Sequence, residues 1–76
     1  EHGLRLLLDV SSRGGVLAQL SQAIHDLGGN ILSVGSLDHG TDERRRLLIK
    51  VNGVSKEQLV ETLEALDDHV LDAREV

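Results

Sequence analysis

Apolar and polar positions along the chain divide it into six segments. Leu4, Leu6, Leu8 and Val10 alternate with Arg5, Leu7 and Asp9, so period two predicts a strand over 4–10 with one buried face. From Val16 the spacing lengthens. Leu17, Leu20, Ile24 and Leu27 recur at helical intervals, and Val16 and Ala23 widen that stripe. Ser11 or Ser12 is expected to cap the helix, because a serine hydroxyl accepts a bond from a first-turn N–H. Gly28 and Gly29 end it, where a left-handed residue is needed. A second strand is predicted over 31–38 and a third over 43–51, joined by a His39-Gly40-Thr41-Asp42 hairpin loop. In the third, Leu47, Ile49 and Val51 oppose Arg46, Leu48 and Lys50. Asn52-Gly53 closes it. Ser55-Lys56-Glu57-Gln58 then reads as a capping box, with Val54 stapling against Leu59. The second helix buries Leu59, Leu63 and Leu66, helped by Val60. Asp67 and Asp68 fall at its C-terminal end, where carbonyl groups disfavour carboxylates. The alternating segment 69–76 is the last strand.

Strand-helix-strand, repeated, predicts an α+β chain with the ferredoxin-like βαββαβ split unit. Right-handed crossovers place both helices on one face of an antiparallel sheet of order 4-1-3-2. No linker or low-complexity run divides residues 1–76, which form a single domain. Period two puts Leu7, Leu32, Val34, Leu48 and Val70 on the open face, ringed by Arg5, Asp9, Arg46, Lys50, Asp72 and Arg74. In that order the second and fourth strands are the edges. The segment Ile31–Leu37 has neither charge nor proline, so it is the edge expected to pair with a second copy as a homodimer.

Composition narrows the chemistry. At 76 residues, 39% apolar and 28% charged, the chain is a soluble globule near the lower size for a lone core, so self-association would add useful burial. There is no aromatic residue, Cys, Met or Pro, and therefore no thiol chemistry and no disulfide. The formal net charge of −5 argues against nucleic acid. An RNA-recognition module of the same topology would also need strand aromatics on which to stack bases. No apolar run approaches the ~20 residues of a membrane span, and no signal peptide is visible, so a cytoplasmic protein without membrane contact is expected. The chain opens on Glu1 rather than Met, which reads as a segment of a longer protein or one lacking its first residues.

Few residues carry candidate chemistry. His2, His25, His39 and His69 lie on four separate elements without metal-ligand spacing, so no metal is expected. Glu57, Glu61 and Glu64 lie on the outward face of the second helix and are read as solubilising. Arg44-Arg45-Arg46 reads as a solvated strand start pairing with Asp38, Asp42 or Glu43. No arginine-bearing phosphate loop of the acylphosphatase kind is present. Catalysis and cofactors are not expected. The loop Arg13-Gly14-Gly15 is different, because it leads into a helix N-terminus whose free N–H groups and positive dipole end suit a carboxylate. Its glycines permit close backbone approach, and Arg13 adds a charge.

Gly15-Val16-Leu17-Ala18 and Gly28-Gly29-Asn30-Ile31 together resemble the signature of the ACT domain, a small regulatory module that often binds amino acids. Ser12 stands where that family has Asp or Asn, which removes the partner of an α-ammonium, and Gly14 stands where it has Pro. The ending His69-Val70-Leu71-Asp72 is similar to ACT domains that follow paired CBS domains. The resemblance implies a non-catalytic, allosteric regulatory domain binding a small effector, an amino acid or other small carboxylate, at a dimer interface. It places the ligand among Ser11, Ser12, Arg13, Gly14, Gly15 and Val16, with Asn30 of a neighbouring subunit and Ile31 at the next strand's start. The alternative is a ligand-free assembly module that only dimerises a larger protein. A third reading is a separate subunit regulating an enzyme by contact.

Overall fold

The computed structural model describes residues 3–11, 14–37, 43–66 and 68–76. Its elements follow the predicted order: β1 (Leu4–Ser11), α1 (Val16–Asp26), β2 (Asn30–Leu37), β3 (Arg44–Asn52), α2 (Lys56–Ala65) and β4 (His69–Glu75). The strands form one antiparallel sheet of order β2-β3-β1-β4, which from the opposite edge reads 4-1-3-2. The expected hairpin loop, His39 to Asp42, lies outside the described residues, as do Ser12, Arg13 and Asp67.

Alternation explains the core. Leu4, Leu6, Leu8 and Val10 of β1 and Leu47, Ile49 and Val51 of β3 all turn to the same side. There they meet Val16, Leu20 and Ile24 of α1 and Leu59 and Leu63 of α2 in one cluster, so both helices cover one face. Each buried Leu, Ile or Val contributes roughly 1.5–3 kcal/mol of transfer free energy. The apolar stripe of α1 is centred one residue earlier than expected. Val16 is buried, whereas Leu17, about 100° further round the helix, is 49% exposed.

The helix ends also differ in their chemistry. Ser11 does not cap α1 but is the last residue of β1, and Ser12 lies outside the described residues. The N-cap is Gly15, in the left-handed region at φ 88° with no side-chain cap. That conformation favours glycine over serine, which explains the displacement. At the other end Gly28 donates to His25 O and Gly29 to Ile24 O, both at 2.9 Å, the paired bonds of a Schellman stop. Gly28 supplies the positive φ of 84°, while Gly29 supplies space: a Cβ there would lie 2.9 Å from Ile24 Cγ2. Ser55 caps α2 as predicted, its Oγ accepting from Gln58 N at 3.2 Å.

Two bulges alter the face assignments. Between Ile31 and Ser33, β2 carries Leu32 as an extra residue, and β4 carries Leu71 between the partners of Leu7 and Leu8. Each insertion reverses the alternation beyond it. Val70 therefore opposite Leu8 packs against the core, and Val34 opposite Ile49 lies on the helix side, correcting the open-face assignment of both. Val34 is still 43% exposed, because β2 is an edge strand. Leu7 and Leu48, directly opposite each other, hold the centre of the open face as expected.

Candidate functional site

Val10 and Ser11 end β1 at the point where Gly15 and Val16 open α1 and where β3 begins. Register sets Val10 opposite Arg45 and Leu8 opposite Leu47. A cavity of about 120 Å³ lies between these elements, lined by Val10, Ser11, Gly15, Val16, Leu17, Arg45 and Leu47. Its floor is aliphatic. Its polar groups come from Ser11, from the start of α1 and from one arginine.

The start of α1 is short of acceptors. The first helical bond runs from Gln19 N to Gly15 O at 2.9 Å, so the preceding N–H groups have no partner within the helix. Gly15 offers no side-chain cap, and the first turn contains no acid. The positive end of the helix dipole is therefore open. Arg45 occupies a core-phase position, in step with Leu47, Ile49 and Val51, at the rim where the helix layer ends. Among the described residues its side chain makes no hydrogen bond or ion pair. Its neighbour Arg44 behaves differently. Arg44 donates through Nε to Asp9 Oδ1 at 3.2 Å and through an Nη to Asp9 O at 2.7 Å. That pairing runs across β3 and β1; Asp38 and Asp42, two of the partners expected for this run, lie outside the described residues.

Of the residues expected at the site, Ser11, Gly15 and Val16 line this cavity. Gly14 adjoins it in an exposed turn, and Ser12 and Arg13 are outside the described residues. Asn30 and Ile31 are not brought to it within one chain. They pair with Asn52 and Val51 at the opposite end of the sheet from the Ser11–Arg44 pair. Sequence reading missed Arg45. Its signal was available, since a charge in step with three core aliphatics either ends the buried face or enters a site.

A second cavity, of about 210 Å³, stands at the pseudo-equivalent place in the other half, between Asn52–Glu57, Gly3–Leu4 and Glu75. Its helix N-terminus already receives the Ser55 hydroxyl, and Glu57 and Glu75 line it. An anion would meet two carboxylates there against one cation, Lys56. The cavity at Arg45 is the one suited to negative charge.

A four-stranded antiparallel sheet covered on one face by two helices in βαββαβ order is the ferredoxin-like sandwich. The chain belongs to the ACT domain family: the family model described as TTHA0829-like ACT domain matches residues 2–74. Solved structures share the fold at low identity. The ligand-free regulatory subunit of aspartate kinase from Thermus thermophilus matches with TM-score 0.70 and 18% identity, covering 100% of this chain and 50% of that one. A putative glycine cleavage system transcriptional repressor matches with TM-score 0.71 and 20% identity over 99% of this chain and 46% of that one. An ACT domain protein from Streptococcus pneumoniae matches with TM-score 0.68 and 16% identity, covering 97% and 89%. The chain thus spans half the length of the aspartate kinase subunit and less than half of the repressor. No curated protein gives a significant match.

Proposed function

We propose that this chain is a non-catalytic regulatory domain that binds a small aliphatic carboxylate, such as an amino acid, in the cavity between β1, α1 and β3. One observation carries the reading: Arg45, at a core-phase position without a partner among the described residues, faces the same 120 Å³ space as the uncapped start of α1. Two positive features around one small cavity repel each other until an anion enters. A carboxylate would accept from Arg45 and the free N–H groups, and a short side chain would lie against Val10, Val16, Leu17 and Leu47. Regulatory subunits among the structural relatives agree with this reading.

The site is completed by a second copy. The β2 edge carries no charge and leaves Leu32, Val34 and Leu37 exposed. Two-fold pairing of β2 with itself is antiparallel, so Asn30 of the partner subunit would come beside Leu37, the register neighbour of Arg46. That brings the polar start of one β2 to the Arg45 end of the other molecule. The same bare edge is what favours the alternative, a dimerisation module without a ligand.

The discriminating experiment is a thermal-shift screen of the twenty amino acids and the matching 2-oxo acids, with sedimentation run in parallel. A ligand raises the melting temperature by linkage. A dimer with a silent screen supports the assembly module, and a monomer that binds nothing refutes both readings.

A further inference from the structure

Register assigns every charge on the sheet to a side. On the side away from the helices, Lys50, Arg5 and Arg74 stand directly opposite one another on β3, β1 and β4. Like charges in that relation repel. Arg74 bonds to Asp72 at 2.8 Å, whereas the side chains of Arg5 and Lys50 make no hydrogen bond or ion pair among the described residues. Arg44 and Arg46 share this side at the other end of β3, where Asp9 stands directly opposite Arg46 in register and pairs with Arg44. Among the described residues this face thus carries five of the chain's eight basic residues and two acids, Asp9 and Asp72, in a chain of net charge −5. Exposed acids Asp26, Glu57, Glu61 and Glu64 belong to the helix layer. Between the two basic groups Leu7 stands opposite Leu48, flanked by Gly35 on β2 and by Asp72, which Arg74 holds, on β4, and exposed Leu37 lies beside Arg46.

We infer that the open face of the sheet docks an amphipathic helix of another polypeptide, one whose apolar stripe is bordered by carboxylates. The stripe covers Leu7 and Leu48, and its carboxylates meet Arg5 and Lys50 on one side and Arg46 on the other. A second copy of this chain fits poorly. Its helix layer offers carboxylates, but its helical aliphatics are mostly turned into its own core, leaving little to cover Leu7 and Leu48. Single-stranded nucleic acid would satisfy the cations, yet sheet surfaces that bind it stack bases on aromatics, and this chain has none. The inference is independent of the carboxylate cavity, because Val10, Leu47 and α1 line that cavity from the other side of the sheet.

The test titrates the full chain into a fluorescently labelled synthetic helix of Leu, Glu and Ala, with Leu on one stripe and Glu along both borders. Controls replace every Glu by Lys, or every Leu by Ala. Anisotropy is expected to report binding of the Leu/Glu helix, weaker by roughly tenfold or more for each control and on raising the salt. The Arg5→Glu/Lys50→Glu variant should lose a similar factor while keeping its fold by circular dichroism, since it leaves one like-charge pair, at 5 and 50, as in the wild type, and turns the repulsion between positions 5 and 74 into attraction. Arg5→Gln/Lys50→Gln serves if the reversal does not fold. Equal binding by the Lys helix, the Ala helix or a folded variant overturns the proposal. So does tighter binding of an oligonucleotide, or a self-association that the variant abolishes while the peptide stays unbound.

Discussion

Arg45→Gln separates a ligand-holding arginine from a structural one, because the two roles move stability in opposite directions. The side chain has no partner among the described residues, so removing its charge breaks no bond there. It lines the same cavity as the start of α1, where a cation opposes the helix dipole. Such a contact at low ionic strength is unfavourable by about 0.3–1 kcal/mol. The ligand-free variant should be more stable by that amount, a rise of roughly 2–6 °C in Tm for a domain this small. The gain should shrink in salt, since the Debye length falls to about 10 Å at 0.1 M. Binding should move the other way. Losing one charge-assisted bond costs about 1.5–3 kcal/mol, and the exposure of Arg45 sets the lower end, a roughly tenfold weaker Kd. Thermal unfolding by circular dichroism at two salt concentrations gives the first quantity. Calorimetry with the strongest compound from the amino-acid screen gives the second. A ligand-free variant less stable by 1 kcal/mol or more, or one that binds as tightly as wild type, refutes the reasoning.

Two further predictions concern the glycine stop and the sheet edge. Gly29→Ala should destabilise by about 1–3 kcal/mol, because the new Cβ meets Ile24 Cγ2 at 2.9 Å and Val54 Cγ1 at 3.2 Å. Gly28→Ala should lose roughly 1 kcal/mol from left-handed backbone alone, with Gly28→Asn recovering part; urea unfolding that ranks Gly29→Ala as neutral disproves the packing account. Ser33→Lys places a charge on the bare β2 edge, so sedimentation should show a weaker dimer and calorimetry a weaker ligand together. A monomeric Ser33→Lys that binds with unchanged affinity would show that the site is complete in one chain.

The order of elements and the sheet topology were legible because each signal was redundant. Period-two runs, helical spacing and paired glycines agreed, and strand limits fell within a residue of the observed ones. What escaped was phase. The bulged residues Leu32 and Leu71 sit in aliphatic pairs, Ile31-Leu32 and Val70-Leu71, where both parities are apolar. Alternation cannot choose between two neighbours that would each be content inside. The pair Val16-Leu17 hid the centre of α1 in the same way. The cap escaped for another reason: serine preference at N-caps pointed to Ser11 or Ser12, but the chain turns through a left-handed Gly15. At the candidate site Ser11, Gly15 and Val16 were found from the family signature, and Arg45 was overlooked within a run of three arginines. Only the register shows that those three have different surroundings, with Arg44 on Asp9, Arg46 on the open face and Arg45 at the cavity.

That difference bears on why the two halves of the chain are not interchangeable. Each half brings a strand end to a helix start beside a cavity, so topology alone supplies two equivalent places for a ligand. In the second half Ser55 fills the helix start with its own hydroxyl, and Glu57 in the first turn complements the dipole. Both features stabilise the folded chain and leave nothing for an anion to do. In the first half the cap is a glycine and the first turn lacks an acid, so both choices are made against local stability, and Arg45 brings a cation to the cavity without the carboxylates that accompany Lys56 in the second. Gly at an N-cap costs only a few tenths of a kcal/mol, but the arginine adds to that cost. Departures that accumulate at one helix start, while its counterpart is conventionally capped, are what a site emptied for an external carboxylate requires.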